Sequence, residues 1–278
     1  MIKKYIVTAD KDGMRLCDLL REEGYSTSML RRLIHGGGLT VNGEFHRNID
    51  PVAVGDEIAV DFPDREPVLT PNGNLNITVA YEDENVLIFD KPDDILVHPA
   101  TREFDDALGN YFAYLHPGIP FRPIGRLDRH TTGLCLIAKN KLSSVVLQQG
   151  IKKEYLAIVE GRLEEPQGQV KAPLIRVPGS TIMRKVDPEG QYAVTNYSVE
   201  KEFKDRTLVR LVLETGRTHQ IRVHMAWLGH PLCGDTLYGG GTDLIERSAL
   251  HCCKMQFSLE GEEHTVVSPL PPDMESLL

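Results

Sequence analysis

The chain has 278 residues, 41% hydrophobic and 26% charged, a globular balance that excludes wholesale disorder and gives length for about two domains. No apolar run approaches the ~20 residues of a membrane-spanning helix, and the start, Met1-Ile2-Lys3-Lys4-Tyr5, has no apolar stretch long enough for a secretory signal. The 31 basic and 40 acidic residues give a net charge of −9, which at first argues against nucleic acid as a partner, since phosphate binding needs cations.

In chain order, Arg15-Leu16-Cys17-Asp18-Leu19-Leu20 opens an amphipathic helix, with Leu16, Leu19 and Leu20 at the i, i+3, i+4 spacing of one face. Ser26-Thr27-Ser28 offers N-cap residues for a second helix. Its buried stripe is Leu30, Leu33 and Ile34, with Arg31 and Arg32 turned elsewhere. Gly36-Gly37-Gly38 ends it, Asn42-Gly43 marks a hairpin turn, and Glu57-Ile58-Ala59-Val60-Asp61 alternates as a strand. Residues 1–62 therefore read as a small α/β domain. Residues 63–76, with Pro63, Pro67, Pro71 and Asn72-Gly73-Asn74, read as a linker.

Residues 77–278 carry strands predicted at 86–89, 134–138, 155–159, 193–199 and 208–213. Most links between them are too short for βαβ crossovers, so an α+β domain with a mixed, mainly antiparallel sheet and flanking helices is expected. Residues 273–278 are expected to fray. The five cysteines at 17, 135, 233, 252 and 253 form no Cys-x-x-Cys pair, which fits a reduced, cytoplasmic protein without a disulfide frame. Charge is uneven. The stretch from Arg122 to Tyr155 holds seven Lys/Arg against Asp128 and Glu154, a net +5 in a chain whose remainder sums to −14. Such a local field can steer RNA despite the overall sign.

Three segments hold candidate chemistry. Gly125-Arg126-Leu127-Asp128-Arg129-His130-Thr131-Thr132-Gly133 sets one carboxylate among basic neighbours on a turn feeding a core strand. Those charges suit an ionised nucleophile or base, although capping a turn is the commoner use of a lone aspartate. Lys152-Lys153-Glu154-Tyr155-Leu156-Ala157 alternates, placing Tyr155 and Ala157 on one strand face. The tyrosine suits either stacking on a base or packing within the sheet.

Thr215-Gly216-Arg217-Thr218-His219-Gln220-Ile221-Arg222-Val223-His224 reads as a helix capped by Thr218 and stopped at Gly229, with Ile221, Met225 and Leu228 facing the core. His219 and His224, at i, i+5, are ~140° apart and poorly spaced to chelate a metal. His251-Cys252-Cys253 reads as buried thiols rather than a metal site.

Together these segments resemble the RluA-type family of RNA pseudouridine synthases, over roughly residues 75–270. The resemblance implies a pseudouridine-synthase-type sheet with Asp128 as catalytic aspartate, Tyr155 as active-site tyrosine and Arg222 as the aspartate's basic partner. It further implies substrate contacts from Arg126, Arg129, Arg217, His219 and Gln220. Residues 10–62 resemble the S-four type RNA-binding module that often precedes this domain. Gly125 stands where the family usually has His, and Thr132 where Ser is commoner.

The implied reaction detaches uracil at N1, turns it and rejoins C1′ through C5. It consumes no redox equivalent, and the chain has neither a Walker loop nor a dinucleotide fingerprint, so no cofactor and no metal are expected. A glycosidase would be expected to use two carboxylates where this cluster offers one. The implied partner is ribosomal or transfer RNA, with no membrane, and the chain is taken as a monomer. A noncatalytic RNA-binding protein and a metal-assisted hydrolase are the alternatives.

Overall fold

The computed structural model describes residues 2–25, 27–61, 69–99, 105–148 and 150–278. Ser26, and residues 63–68 of the expected linker, lie outside the described residues. The chain divides into two compact units, Met1–Pro67 and Val68–Leu278.

In the first unit the apolar face expected of the first helix is buried: Leu16, Leu19 and Leu20 of α1 (Leu16–Glu22) join Leu30 and Leu33 of α2 (Thr27–Gly36) in one cluster. Each such leucine contributes roughly 1.5–3 kcal/mol of burial. With β1 (Ile2–Ile6), β2 (Leu39–Val41), β3 (Glu44–Phe45) and β4 (Glu57–Asp61), they cover an antiparallel sheet ordered β1-β4-β2-β3. Asn42 and Gly43, both at positive φ, make the turn between β2 and β3. Ile58 and Val60 point inward along β4, as their alternation predicts.

The second unit runs β5 (Thr78–Glu82), β6 (Val86–Lys91), α3 (Leu108–Leu115), β7 (Arg122–Pro123), β8 (Thr132–Ala138), α4 (Lys141–Leu147), β9 (Lys152–Glu160) and β10 (Gln167–Lys171). It continues with β11 (Leu174–Arg176), β12 (Arg184–Val186), β13 (Val194–Glu202), β14 (Arg206–Leu213), α5 (Gln220–Trp227), β15 (Leu250–Leu259), β16 (Glu262–Val267) and α6 (Pro272–Glu275). A ten-stranded sheet orders them β10-β13-β14-β9-β15-β8-β6-β5, with β16 on β15 and β7 on β8, while β11 and β12 form a separate hairpin. Every pairing in the large sheet is antiparallel except β15 with β8, the mixed, mainly antiparallel arrangement expected.

All five predicted strands are present, in β6, β8, β9, β13 and β14. The central strand β15 was not foreseen. Its first four residues, Leu250 to Cys253, are all buried and carry no alternation, whereas Lys254 to Leu259 alternate polar and apolar, a strand signal the sequence reading passed over.

Two expectations need correction. Residues 273–278 do not fray: Met274 and Leu277 are buried with Ile158 and Leu208, Arg247 forks onto Asp273 at 2.6 and 2.9 Å, and Arg206 donates to the carbonyl of Leu277. The anchoring partners come from distant strands, which a local reading does not see. Nor does Thr218 cap α5. His219 occupies that position with φ 57°, and the Gln220 side chain accepts the Arg217 N–H instead. Residues 69–76 lie against α3, where Asn72 donates to the carbonyls of Asn110 and Asp105, and Asn110 to that of Thr70.

Candidate active site

The parallel junction of β8 and β15 fixes the site. Cys252 pairs with Gly133 of β8 on one side and Tyr155 of β9 on the other, so the start of β8 lies about two strand spacings, ~10 Å, from Tyr155. A side chain at Gly133 would meet the backbone of Cys252, which explains the glycine. The turn preceding β8 carries Asp128, whose carbonyl accepts the Thr131 N–H at 3.1 Å.

Two buried cations grip that turn from behind. Lys91, at the end of β6, donates to the carbonyls of Arg129, Ile95 and Pro92 at 2.8, 2.8 and 2.9 Å, and Arg247 donates to that of His130 at 3.3 Å. Burial lowers the Lys91 pKa to about 8, against the pull of neighbours that include Asp93 and Asp128.

Helix α5 supplies the groups facing the carboxylate. Arg222 and the residue capping the helix, His219, are three apart and share a face. Arg222 Nη1 lies 3.6 Å and His219 Nε2 lies 3.8 Å from Asp128 Oδ2. The Asp128 side chain is 31% exposed and Arg222 12%, so an open carboxylate meets a sheltered cation. Asp235, 1% exposed, accepts from Arg222 Nε and Nη2 at 2.6 and 2.7 Å. Burial opposes the guanidinium charge, but the Asp235 pair outweighs it and raises the Arg222 pKa.

Arg222 also lies over the Tyr238 ring, 5.1 Å from its centroid, and Tyr238 Oη is 2.8 Å from His219 Nδ1. Burial lowers the His219 pKa against the attraction of Asp128, so its imidazole is neutral at pH 7.

Tyr155 is 6% exposed and packs in the main core cluster, forming a wall rather than an open stacking surface. Burial pushes its pKa well above the usual phenol range, reinforced by the charges of Cys252 and Asp128, so the hydroxyl stays protonated. The arrangement is one carboxylate, loosely held, with Arg222 and His219 on one side and a buried phenol nearby.

A family model described as RNA pseudouridylate synthase matches residues 85–227, the span that carries Asp128, Tyr155 and Arg222. The chain belongs to the RNA pseudouridine synthases. The enzyme is 39% identical to the Bacillus subtilis (strain 168) protein named Uncharacterized RNA pseudouridine synthase YjbO, over 92% of this chain and 95% of that one. It is 34% identical to the Ribosomal large subunit pseudouridine synthase D of Vibrio parahaemolyticus, over 95% of this chain and 90% of the relative. The solved structure of human RNA Pseudouridylate Synthase Domain Containing 1 superposes with a TM-score of 0.62 at 25% identity, covering 74% of this chain and 89% of that one. The chemistry is the isomerisation of uridine in RNA to pseudouridine.

Of the residues singled out in its sequence, the synthase brings Asp128, Arg222 and His219 within 4 Å and keeps Tyr155 close enough for the Asp128 charge to act on it. Arg126 is exposed on the same turn, and its charge contributes to the lowered pKa of His98, after burial. Arg129 turns to Asp94 at 3.1 Å. Arg217 is exposed, with Nε donating to the Tyr192 carbonyl. Gln220 is not presented to a substrate: it is buried, with Oε1 accepting from Thr215 and Arg217 and Nε2 donating to Val194 and Thr195.

His219 and His224 part company as their spacing implies, His224 lying against Thr195 and the Ala172 carbonyl. Asp235, Tyr238 and Lys91 escaped the sequence reading. Asp235 and Tyr238 lie in a loop without periodicity, and Lys91 is a single charge at a strand end.

Proposed function

We propose that this synthase converts uridine in large-subunit ribosomal RNA, with Asp128 as the carboxylate that acts on the sugar of an everted nucleotide. The observation that carries this is the Asp128 environment: a partly open oxygen pair 3.6 Å from a guanidinium that is itself anchored elsewhere. Arg222, engaged mainly by Asp235, leaves the Asp128 carboxylate free to move toward C1′ or the 2′ hydrogen. Tyr155, protonated and buried, closes the pocket beside the sugar and excludes water while the freed uracil turns. The C1′–N1 bond breaks, the C1′–C5 bond forms, the C5 proton leaves and N1 takes up a proton, so the reaction balances without a cofactor.

Arg126, exposed two residues before Asp128, takes the space the nucleotide vacates, which offsets part of the few kcal/mol that flipping costs. Arg129 and Arg217 supply further contacts to the RNA strand. The first unit acts as an S-four type RNA-binding module, and the enzyme works as a cytoplasmic monomer. The ribosomal assignment rests on relatives whose names carry it.

Incubation with protein-free ribosomal RNA and with transfer RNA, followed by chemical pseudouridine mapping, tests the substrate. New pseudouridine confined to large-subunit RNA is expected. Conversion of transfer RNA alone would contradict it.

A further inference from the structure

Tyr238 sits between a backbone donor and an imidazole, and that position decides where the imidazole keeps its proton. Its oxygen accepts the Arg184 N–H of β12 at 3.0 Å and lies 2.8 Å from His219 Nδ1. With the backbone N–H already donating to it, the arrangement that gives the phenol a use for its own single proton has Oη donating to Nδ1, which then accepts. A neutral imidazole accepting at Nδ1 carries its proton on Nε2, the nitrogen 3.8 Å from Asp128 Oδ2. The opposite tautomer would aim a lone pair at the carboxylate, a repulsive contact.

The two rings meet edge to face, with centroids 5.6 Å apart, and His219 is held at φ 57° as the cap of α5, so the imidazole is fixed by backbone as well as by its partner.

We propose that Tyr238 is a positioning residue: by donating to His219 Nδ1 it locks the Nε2–H tautomer and so presents a hydrogen-bond donor to Asp128. The inference rests on Asp128 being the reacting carboxylate. The donor stands beyond hydrogen-bond distance in the free enzyme and closes on Asp128 once the carboxylate shifts toward the sugar. Because the Tyr238 oxygen is held by the first residue of β12, placement of the β11–β12 hairpin is transmitted to the catalytic carboxylate through two side chains. His219, expected from the sequence to touch substrate, acts in this scheme through Asp128.

The test combines nitrogen NMR with kinetics on the full-length enzyme labelled at histidine, the His219 signal being assigned by its loss in His219→Gln. Wild type is expected to show an unprotonated Nδ1 and a protonated Nε2. Tyr238→Phe, which keeps the ring under Arg222, is expected to redistribute the proton between the two nitrogens. It should lower kcat about tenfold at unchanged KM, the order of losing one neutral hydrogen bond. His219→Gln, whose amide can still donate toward Asp128, should retain more kcat than His219→Ala. A wild-type proton on Nδ1, or a Tyr238→Phe enzyme with wild-type kcat, overturns the proposal. The nitrogen shifts require no turnover, so they report on the tautomer even if Asp128→Asn proves active and the catalytic reading falls.

Discussion

Arg222 serves two carboxylates unequally, and on the proposed mechanism that inequality is what leaves Asp128 free to react. Asp235 holds two hydrogen bonds to the guanidinium at 2.6 and 2.7 Å, whereas Asp128 has a single approach at 3.6 Å. Removing one member of a sheltered pair strands the other charge, so Asp235→Asn should cost about 3 kcal/mol in urea unfolding and lower kcat as Arg222 swings toward Asp128. A loss under about 1 kcal/mol would place this pair with exposed ones.

Asp128 and Arg222 were legible because each sits in a motif with its neighbours in sequence. Asp235 was not, because its meaning comes from a residue on α5 that only the fold brings beside it. Gln220 shows the converse: its motif marked it for substrate, while four hydrogen bonds within the chain use up its amide.

Among the elements, the pairing of β8 with β15 is the junction on which the site depends. Gly133 holds φ 101°, and a methyl group there would strike the Cys252 backbone. Gly133→Ala should therefore cost at least about 2 kcal/mol by thermal unfolding and lose activity with it, since β8 leads directly out of the Asp128 turn. An alanine variant of wild-type stability would mean that the strands can part without consequence.

The half-buried strand β4 was readable from alternation, and α1 from its leucine spacing. Strand β15 was hidden at its start, where Leu250 to Cys253 are all buried, and its alternation from Lys254 to Leu259 was passed over, while α6 is only four residues held by distant Arg247 and Arg206. The start of α5 misled for a related reason: a left-handed histidine is not a residue that capping preferences suggest.

For the whole molecule, charge and burial set the response to acid. His224 and His251 are buried, and burial holds both pKa values below the usual histidine range. Below pH ~6.5 the unfolded chain takes up protons at these positions that the folded chain refuses. Stability is therefore expected to fall as pH drops from 7 toward 5. Calorimetry across that range checks it; a melting temperature that rises on acidification would contradict the burial of neutral imidazoles.

The net charge of −9 belongs to the same scale: it was no guide to the RNA substrate, because the basic stretch from Arg122 to Tyr155 leads into and out of the turn that carries Asp128.

The central claim concerns a single carboxylate, and its most direct measurement is single-turnover conversion of a mapped target transcript by Asp128→Asn, with RNA affinity determined on the same preparation. No pseudouridine with affinity within a few-fold of wild type is expected. Conversion at an undiminished rate would contradict the account.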